Sequence, residues 1–199
     1  SSSSAVYFAK SVLTKPETLH ISYIHTPPRF LYGYKTSFNY KKHLLTRIGG
    51  EIANHFLRIV DFKVSQRPDI LVANSKNVAE RIKKFYRRDS VVIYPPVDLS
   101  DILSGAKNII KKEDKKYFLA LNRLVWGKGT EIIVEAATKL DIPLKVAGTG
   151  PEMYRLKGIA GKNVEFLGWV SDEERVKLLT DAKALIVASQ DEDFGITPV

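Results

Sequence analysis

The sequence predicts an α/β chain made of two parallel-sheet units, both incomplete, and three observations carry that prediction. The second half alternates strand and helix patterns without a break from Tyr117 to Ala188. Short apolar runs end at glycine or proline where strands would stop. A stretch that opens at Pro95-Pro96 and closes on the charged cluster Lys111 to Lys116 separates this half from a similar, less complete one. The organisation implied is a first unit over 1–98, a linker over 99–115 and a second unit over 116–199. Alternation of this kind favours parallel strands joined by right-handed crossovers.

In the first half, His20 to His25 alternates into a strand. Residues 36–67 read as helix with an interruption at Gly49-Gly50, and Asp69 to Ala73 as a short strand. Ser75 to about Arg87 forms a helix with Val78, Ile82 and Phe85 on one face, and Val91 to Tyr94 a strand. No glycine-rich first turn opens this half, as expected of an internal fragment whose early strands lie upstream of Ser1. In the second half, Tyr117 to Leu121 is a buried strand. Thr130 to Leu140 is a helix with Ile132, Ile133, Ala136, Ala137 and Leu140 on one stripe. Leu144 to Ala147 is a strand stopped by Gly148 and Gly150. Pro151 opens a helix to about Ala160, at a position where its missing N–H costs nothing. Val164 to Leu167 is a strand, and Ser171 with Glu174 has the spacing of a capping box for a helix running to about Ala182. Ala184 to Ala188 is the last strand. Ligands of such sheets bind beyond the carboxyl ends of the strands, so loops 122–129, 148–151, 168–171 and 189–197 are expected to line one crevice.

Composition narrows the chemistry. Of 199 residues, 44% are hydrophobic and 27% charged, the balance of a globular chain rather than a disordered one. The absence of Cys excludes disulfides, thiolate nucleophiles and Cys-ligated metals. Apolar runs are far shorter than the ~20 residues of a spanning helix, and no secretory signal pattern is visible. There is no Gly-x-Ser-x-Gly elbow, no Walker loop, no His-x-x-x-His spacing, and no repeat of fixed period. The net charge of +9 lies wholly in residues 1–98, which hold 16 basic and 7 acidic side chains. Much of it is Arg81, Lys83, Lys84, Arg87 and Arg88, on or just after a helix. Three readings stand for this cluster: a solvated helix face, an anionic membrane surface or nucleic acid.

Four features bear on chemistry, each with a plainer alternative. Arg123 and Lys128 follow the strand 117–121 directly, where a guanidinium fork and an ammonium suit a diphosphate; two surface cations would look the same. Gly127 and Gly129 flank the Lys and allow close backbone approach. Asp191-Glu192-Asp193-Phe194-Gly195 follows the last strand. Such a run is a solvated loop, a divalent-metal loop, or a turn whose Gly195 and following N–H groups meet an anion. His25, in the string His25-Thr26-Pro27-Pro28-Arg29, ends a strand, where it is either an ordinary surface or core histidine or part of a site. Gly148-Thr149-Gly150-Pro151 is a tight turn into a helix, weak as a motif.

These features occur together in a resemblance. The strings YIHTPPRFLYG, ILVANSKNVAERIKKFY, VVIYPPVD, LNRLVWGKGTEIIVEAA, VAGTGPE, VEFLGWVSDEE and EDFGITPV, in this order over Tyr7 to Val199, resemble the family 4 glycosyltransferases. The nearest likeness is to the WbaZ-like mannosyltransferases. The resemblance implies a GT-B fold, with one Rossmann-like domain for the acceptor and a second for the nucleotide sugar. It implies that Arg123 and Lys128 neutralise the donor diphosphate, the work Mg²⁺ does in many phosphate-handling enzymes, so that neither metal nor cofactor is called for. Glu192 would contact sugar hydroxyls as the first Glu of a Glu, seven residues, Glu signature whose second Glu would fall at position 200, one past Val199. Gly195, Ile196 and Thr197 would meet sugar and phosphate, Gly148 and Val170 would line the donor, and His25 would reach the transferred sugar. Ser75 would cap a helix. Asn122 stands where a Gly often precedes the Arg, and its tolerance of unusual backbone angles would preserve the turn.

The function this implies is retaining transfer of a hexose, mannose favoured, from a nucleoside diphosphate sugar (GDP-mannose favoured) to a lipid-linked or glycan acceptor. The setting implied is cytoplasmic, with peripheral contact on an anionic inner membrane face through the cations and aromatics such as Phe85 and Tyr86. The alternatives are a GT-B sugar-nucleotide epimerase, a non-catalytic basic nucleic-acid-binding module and an inactive fragment. No standard nucleic-acid recognition motif is present, so no nucleic acid partner is expected.

Overall fold

The computed structural model describes residues 2–3, 10–34, 44–96 and 116–195. The chain divides into two units, Ser1–Pro96 with Asp191–Gly195, and Val97–Gln190 with Ile196–Val199. The expected linker, 99–115, lies outside the described residues.

The first unit runs β1 (Ser2–Ser3), β2 (Ile21–Ile24), α1 (Leu44–Ser65), β3 (Ile70–Ala73), α2 (Lys76–Tyr86) and β4 (Val91–Val92). Its sheet has the order β1-β2-β3-β4 with every pair parallel. Ile24, Leu71 and Ala73 pack against Val78, Ile82 and Tyr86 of α2. The Ser75 hydroxyl accepts from the Val78 N–H, so the expected cap is present. Phe85, expected on the buried stripe, instead stacks on Tyr32 at its margin, with ring centroids 4.0 Å apart. Strand β4 stops two residues early: Ile93 still donates its N–H to the Ala73 carbonyl, but Pro95 and Pro96 have none to offer.

Helix α1 runs unbroken through Gly49-Gly50, and neither glycine adopts positive φ. Residues 35–43, the start of the expected helix, lie outside the described residues. The orientation of α1 departs from simple amphipathic reasoning. Asn54, Asp61 and Ser65 are buried, while Ile48, Ile52, Phe56, Ile59 and Val60 are exposed. The inward face is polar because its partners are: Lys10 pairs with Asp61 and donates to the Tyr86 hydroxyl, Tyr32 donates to Asp61 at 2.8 Å, and Arg58 donates to the Leu31 carbonyl at 2.9 Å. Burial pushes the Lys10 ammonium below its ordinary range against the pull of Asp61, and pushes the Tyr86 phenol up, with the Asp61 charge adding to the effect.

The second unit runs β5 (Tyr117–Leu121), α3 (Thr130–Leu140), β6 (Leu144–Ala147), α4 (Met153–Ile159), β7 (Val164–Gly168), α5 (Asp172–Asp181) and β8 (Ala182–Leu185). The sheet order is β7-β6-β5-β8, again all parallel. Period-two alternation places Ala120, Leu144 and Val146 against Ile133, Val134, Ala137 and Leu156 on one face. Tyr117, Leu119 and Ala147 pack toward Leu178 and Leu179 of α5 on the other. Helices thus cover both faces, as parallel sheets require. Arg155 of α4 binds both carboxylate oxygens of Glu131 on α3, which holds the Glu131 carboxyl below its usual range. The capping box at Ser171 and Glu174 is complete. Helix α4 starts two residues after Pro151, which stands in the turn before it. Strand β8 is displaced from the expected 184–188: Ala182 both caps α5 and pairs with Tyr117, so the ladder starts at once. It ends at Leu185, although the Ile186 N–H still donates to the Leu119 carbonyl, and Ala188 then lies against the backbone of Gly129.

Candidate functional site

Every strand of the second sheet points the same way, so the loops after β5, β6 and β7 leave one edge. They are stitched together there. The Asn122 N–H donates to the Ala147 carbonyl at 3.2 Å, Leu124 to Thr149 at 2.9 Å, Gly148 to Gly168 at 2.6 Å and Gln190 to Gly127 at 3.3 Å. Glycines make the approach possible. A Cβ on Gly148, at φ +132°, would stand 1.9 Å from the Asn122 carbonyl oxygen; on Gly150, 2.2 Å from that of Leu124; on Gly129, 2.1 Å from that of Ala188. Leu124 is fully buried and anchors the loop, so that its neighbour Arg123 is turned out to solvent and Lys128 is half-buried. Loops 122–129 and 148–151 therefore form one edge with Gly168, as expected, and residues 188–190 join them.

The turn at Asn122 needs no left-handed backbone, contrary to the expectation. Asn122 does not adopt positive φ; its side-chain oxygen accepts from the Thr130 hydroxyl at 2.9 Å and ties the loop to the first turn of α3. Val170 is half-buried against the core beneath α5. A cavity of ≈ 750 Å³ lies at the opposite, amino ends of β5 and β6, lined by Lys116, Tyr117, Lys145, Lys162 and Asp181 among others. It holds none of the expected site residues, and open parallel sheets bind ligands at the other edge.

The segment Asp191–Gly195 groups with the first unit. Arg29 and Arg81 both bind the Asp193 carboxylate, at 2.8 and 2.5 Å. Ser75 donates its hydroxyl to the Asp193 carbonyl at 2.6 Å and Asn77 its amide to the Glu192 carbonyl at 2.7 Å. The backbone is thus held at Glu192 and Asp193, two residues before the buried Gly195, while Ile196 and Thr197 lie outside the described residues. Among the described residues, no group of three His, Asp or Glu is arranged to hold a metal ion. His25 is exposed just past β2, its ring edge-on to Tyr23 with centroids 5.3 Å apart.

The basic cluster on α2 is not one solvated face. Lys83, Lys84 and Arg87 are exposed, but Arg81 is only 5% exposed and bonded, and Arg88 donates to the Ser65, Pro68 and Asp69 carbonyls. Tyr86 is fully buried and Phe85 is stacked, so this pair is not the aromatic anchor expected for a membrane surface. The pairing of Arg81 and Arg29 with Asp193 was not expected from the sequence, where Asp193 stood in the acidic run and Arg81 in the basic cluster; the three lie in the HTPPR, ERIKK and EDFG strings, far apart in the chain. No helix among the described residues is long and apolar enough to cross a membrane.

The second unit is similar to known proteins. Residues 105–199 match the family of glycosyl transferases group 1. That stretch holds Arg123, Lys128, Gly148, Val170 and Glu192. Two curated relatives are similar over 79% of the chain. D-rhamnosyltransferase WbpZ of Pseudomonas aeruginosa is 27% identical, with 42% of its length covered; O-antigen chain mannosyltransferase C of Escherichia coli is 25% identical, with 43% covered. The chain spans less than half the length of these relatives. Sucrose-phosphate synthase from Thermosynechococcus elongatus superposes with a TM-score of 0.63 at 17% identity, over 88% of this chain and 45% of that one. The fold is that of the GT-B glycosyltransferases, two parallel-sheet α/β units.

Proposed function

We propose that the protein transfers a hexosyl group from a nucleoside diphosphate sugar to a lipid-linked or glycan acceptor, with retention of anomeric configuration. The observation that carries this reading is the edge built by loops 122–129 and 148–151. It offers Arg123 and Lys128 on a glycine-packed backbone, within the stretch that matches the group 1 family. A diphosphate leaving group gains negative charge as its bond to the anomeric carbon breaks, and two fixed cations stabilise that charge more in the transition state than in the bound substrate. In the step proposed, the acceptor hydroxyl oxygen attacks the anomeric carbon on the face that the diphosphate leaves. The electron pair of the broken bond passes to the β-phosphate oxygen, and that oxygen takes the acceptor proton. No side chain of the protein acts as nucleophile.

In this reading Glu192 holds sugar hydroxyls, His25 contacts the transferred sugar, Gly195, Ile196 and Thr197 meet sugar and phosphate, and Gly148 and Val170 line the donor. Mannose is favoured because the two relatives are named for mannose and D-rhamnose transfer, and D-rhamnose is 6-deoxymannose. GDP-mannose is the donor to test first. A lipid-linked acceptor would bring the enzyme to the cytoplasmic membrane face, where the exposed Lys83, Lys84 and Arg87 suit anionic headgroups.

The test is turnover of the full-length protein with GDP-mannose and with UDP-sugars, and the anomeric configuration of the product by NMR. Arg123→Ala and Lys128→Ala should each lower kcat about 10²–10³-fold, as removal of an oxyanion donor does elsewhere. Near-normal turnover in both variants would refute the role given to them.

A further inference from the structure

Arg81 makes an arrangement that helix packing does not explain. It stands on the inner face of α2 between Val78 and Ile82, both fully buried, where a leucine would serve a purely structural end. Taking a guanidinium out of water costs several kcal/mol unless its donors are met. They are met chiefly by one segment. One terminal nitrogen binds the Asp193 carboxylate at 2.5 Å and the Thr26 hydroxyl at 3.1 Å; the other donates to the Asp191 carbonyl at 3.1 Å. The guanidinium carbon lies 4.3 Å from the centre of the Tyr34 ring, which covers the cation.

Other side chains of the same unit complete the grip. Arg29 takes the second Asp193 carboxylate oxygen, Ser75 the Asp193 carbonyl and Asn77 the Glu192 carbonyl, and the Phe194 ring lies 5.8 Å from that of Tyr94. Asp191 is held at φ +58°, a left-handed conformation that a non-glycine residue adopts at a cost. The backbone is thus bound immediately before Glu192, at Glu192 itself and immediately after it.

We propose that Arg81, acting through Asp193 and the Asp191 carbonyl, is a positioning residue for Glu192. It fixes where the Glu192 carboxylate is presented to the sugar. The inference rests on the reading of Glu192 given above and assigns to Arg81 and Asp193 a part that the family match does not. Arg29 shares the load on Asp193 but is more exposed and bonds none of the segment's carbonyls, so Arg81 is the residue whose loss frees the turn.

Two measurements on the full-length protein test it. Hydrogen–deuterium exchange across 191–195 should rise at least tenfold in Arg81→Gln and in Asp193→Asn, with β5–β8 unchanged. The Asp193→Asn variant keeps the side-chain shape and serves if Arg81→Gln fails to fold. Kinetically, either variant should lower kcat tenfold to a hundredfold with little change in donor KM, a loss typical of a group misplaced by ~1 Å. Arg81→Lys should recover part of it. The double variant Arg81→Gln/Glu192→Gln should be no slower than Glu192→Gln alone, because both changes remove one function. Unchanged exchange, or losses that multiply in the double variant, would overturn the positioning role while leaving the transferase reading intact. A Glu192→Gln variant with normal turnover would overturn the role of Glu192 and this proposal with it.

Discussion

Replacing Gly148 with alanine tests the construction of the carboxyl edge directly. The new Cβ would stand 1.9 Å from the Asn122 carbonyl oxygen, against the ~3.3 Å at which carbon and oxygen come into close contact. One loop must therefore retreat by roughly 1.4 Å. The backbone at φ +132° is in addition one that alanine rarely adopts, so rotating away from the clash gives no relief. Strain of ~1–3 kcal/mol and overpacking of ~1–3 kcal/mol together put the expected loss at about 2–6 kcal/mol. The movement falls on the hydrogen bonds from Asn122 to Ala147 and from Leu124 to Thr149, and so on Arg123 between them. Chemical denaturation of the full-length protein reads the stability, with Gly158→Ala as the control. Gly158 lies in helix α4, where an added methyl group would meet nothing within 4 Å, and alanine there should gain up to ~1 kcal/mol. A Gly148→Ala protein within ~0.5 kcal/mol of wild type, the scatter of an ordinary surface change, would refute the close packing of the two loops.

Two further outcomes follow from the first unit. Asp61→Asn leaves the Lys10 ammonium buried without its counter-charge and should cost about 3–5 kcal/mol, measured by denaturant unfolding; a change under ~1 kcal/mol would show the pair to be dispensable. The same cluster sets the alkaline response. Tyr86 has its folded pKa raised, so its contribution is fully present below the ordinary value of ~10 and is lost as pH rises beyond it, at up to ~1.4 kcal/mol per pH unit. Lys10 has its folded pKa lowered, which works with the opposite sign: stability from this group rises with pH up to ~10.4. Tyr86→Phe should therefore abolish the steepest part of the fall between pH 10 and 12 and keep the rise before it. An identical alkaline fall in that variant would assign it elsewhere.

Much of the second unit was legible because its signals are local. The helix from Thr130 to Leu140, the run from Leu144 to Ala147 and the Ser171–Glu174 box each bring their partners within a few residues, and the structure has all three, although on the helix Ile132, Ala136 and Leu140 of the expected stripe are exposed and Val134 is buried beside Ile133 and Ala137 instead. Arg123 and Lys128 were singled out in the same way, since a strand followed by two cations, one of them between glycines, can be read along the chain. What the chain could not disclose was which residues meet across it. Arg81 lies 112 positions from Asp193 and has the sequence context of a wet helix face; only the fold supplies the carboxylate that makes its burial affordable. Helix α1 shows the same limit, because polar side chains can turn inward where buried partners meet them: Lys10 and Tyr32 bind Asp61, and the Tyr86 hydroxyl accepts from Lys10. Periodicity and turn chemistry are properties of neighbouring residues and are written in the sequence. The pairing of a buried charge is a property of positions that become neighbours only on folding, and tertiary structure alone decides it.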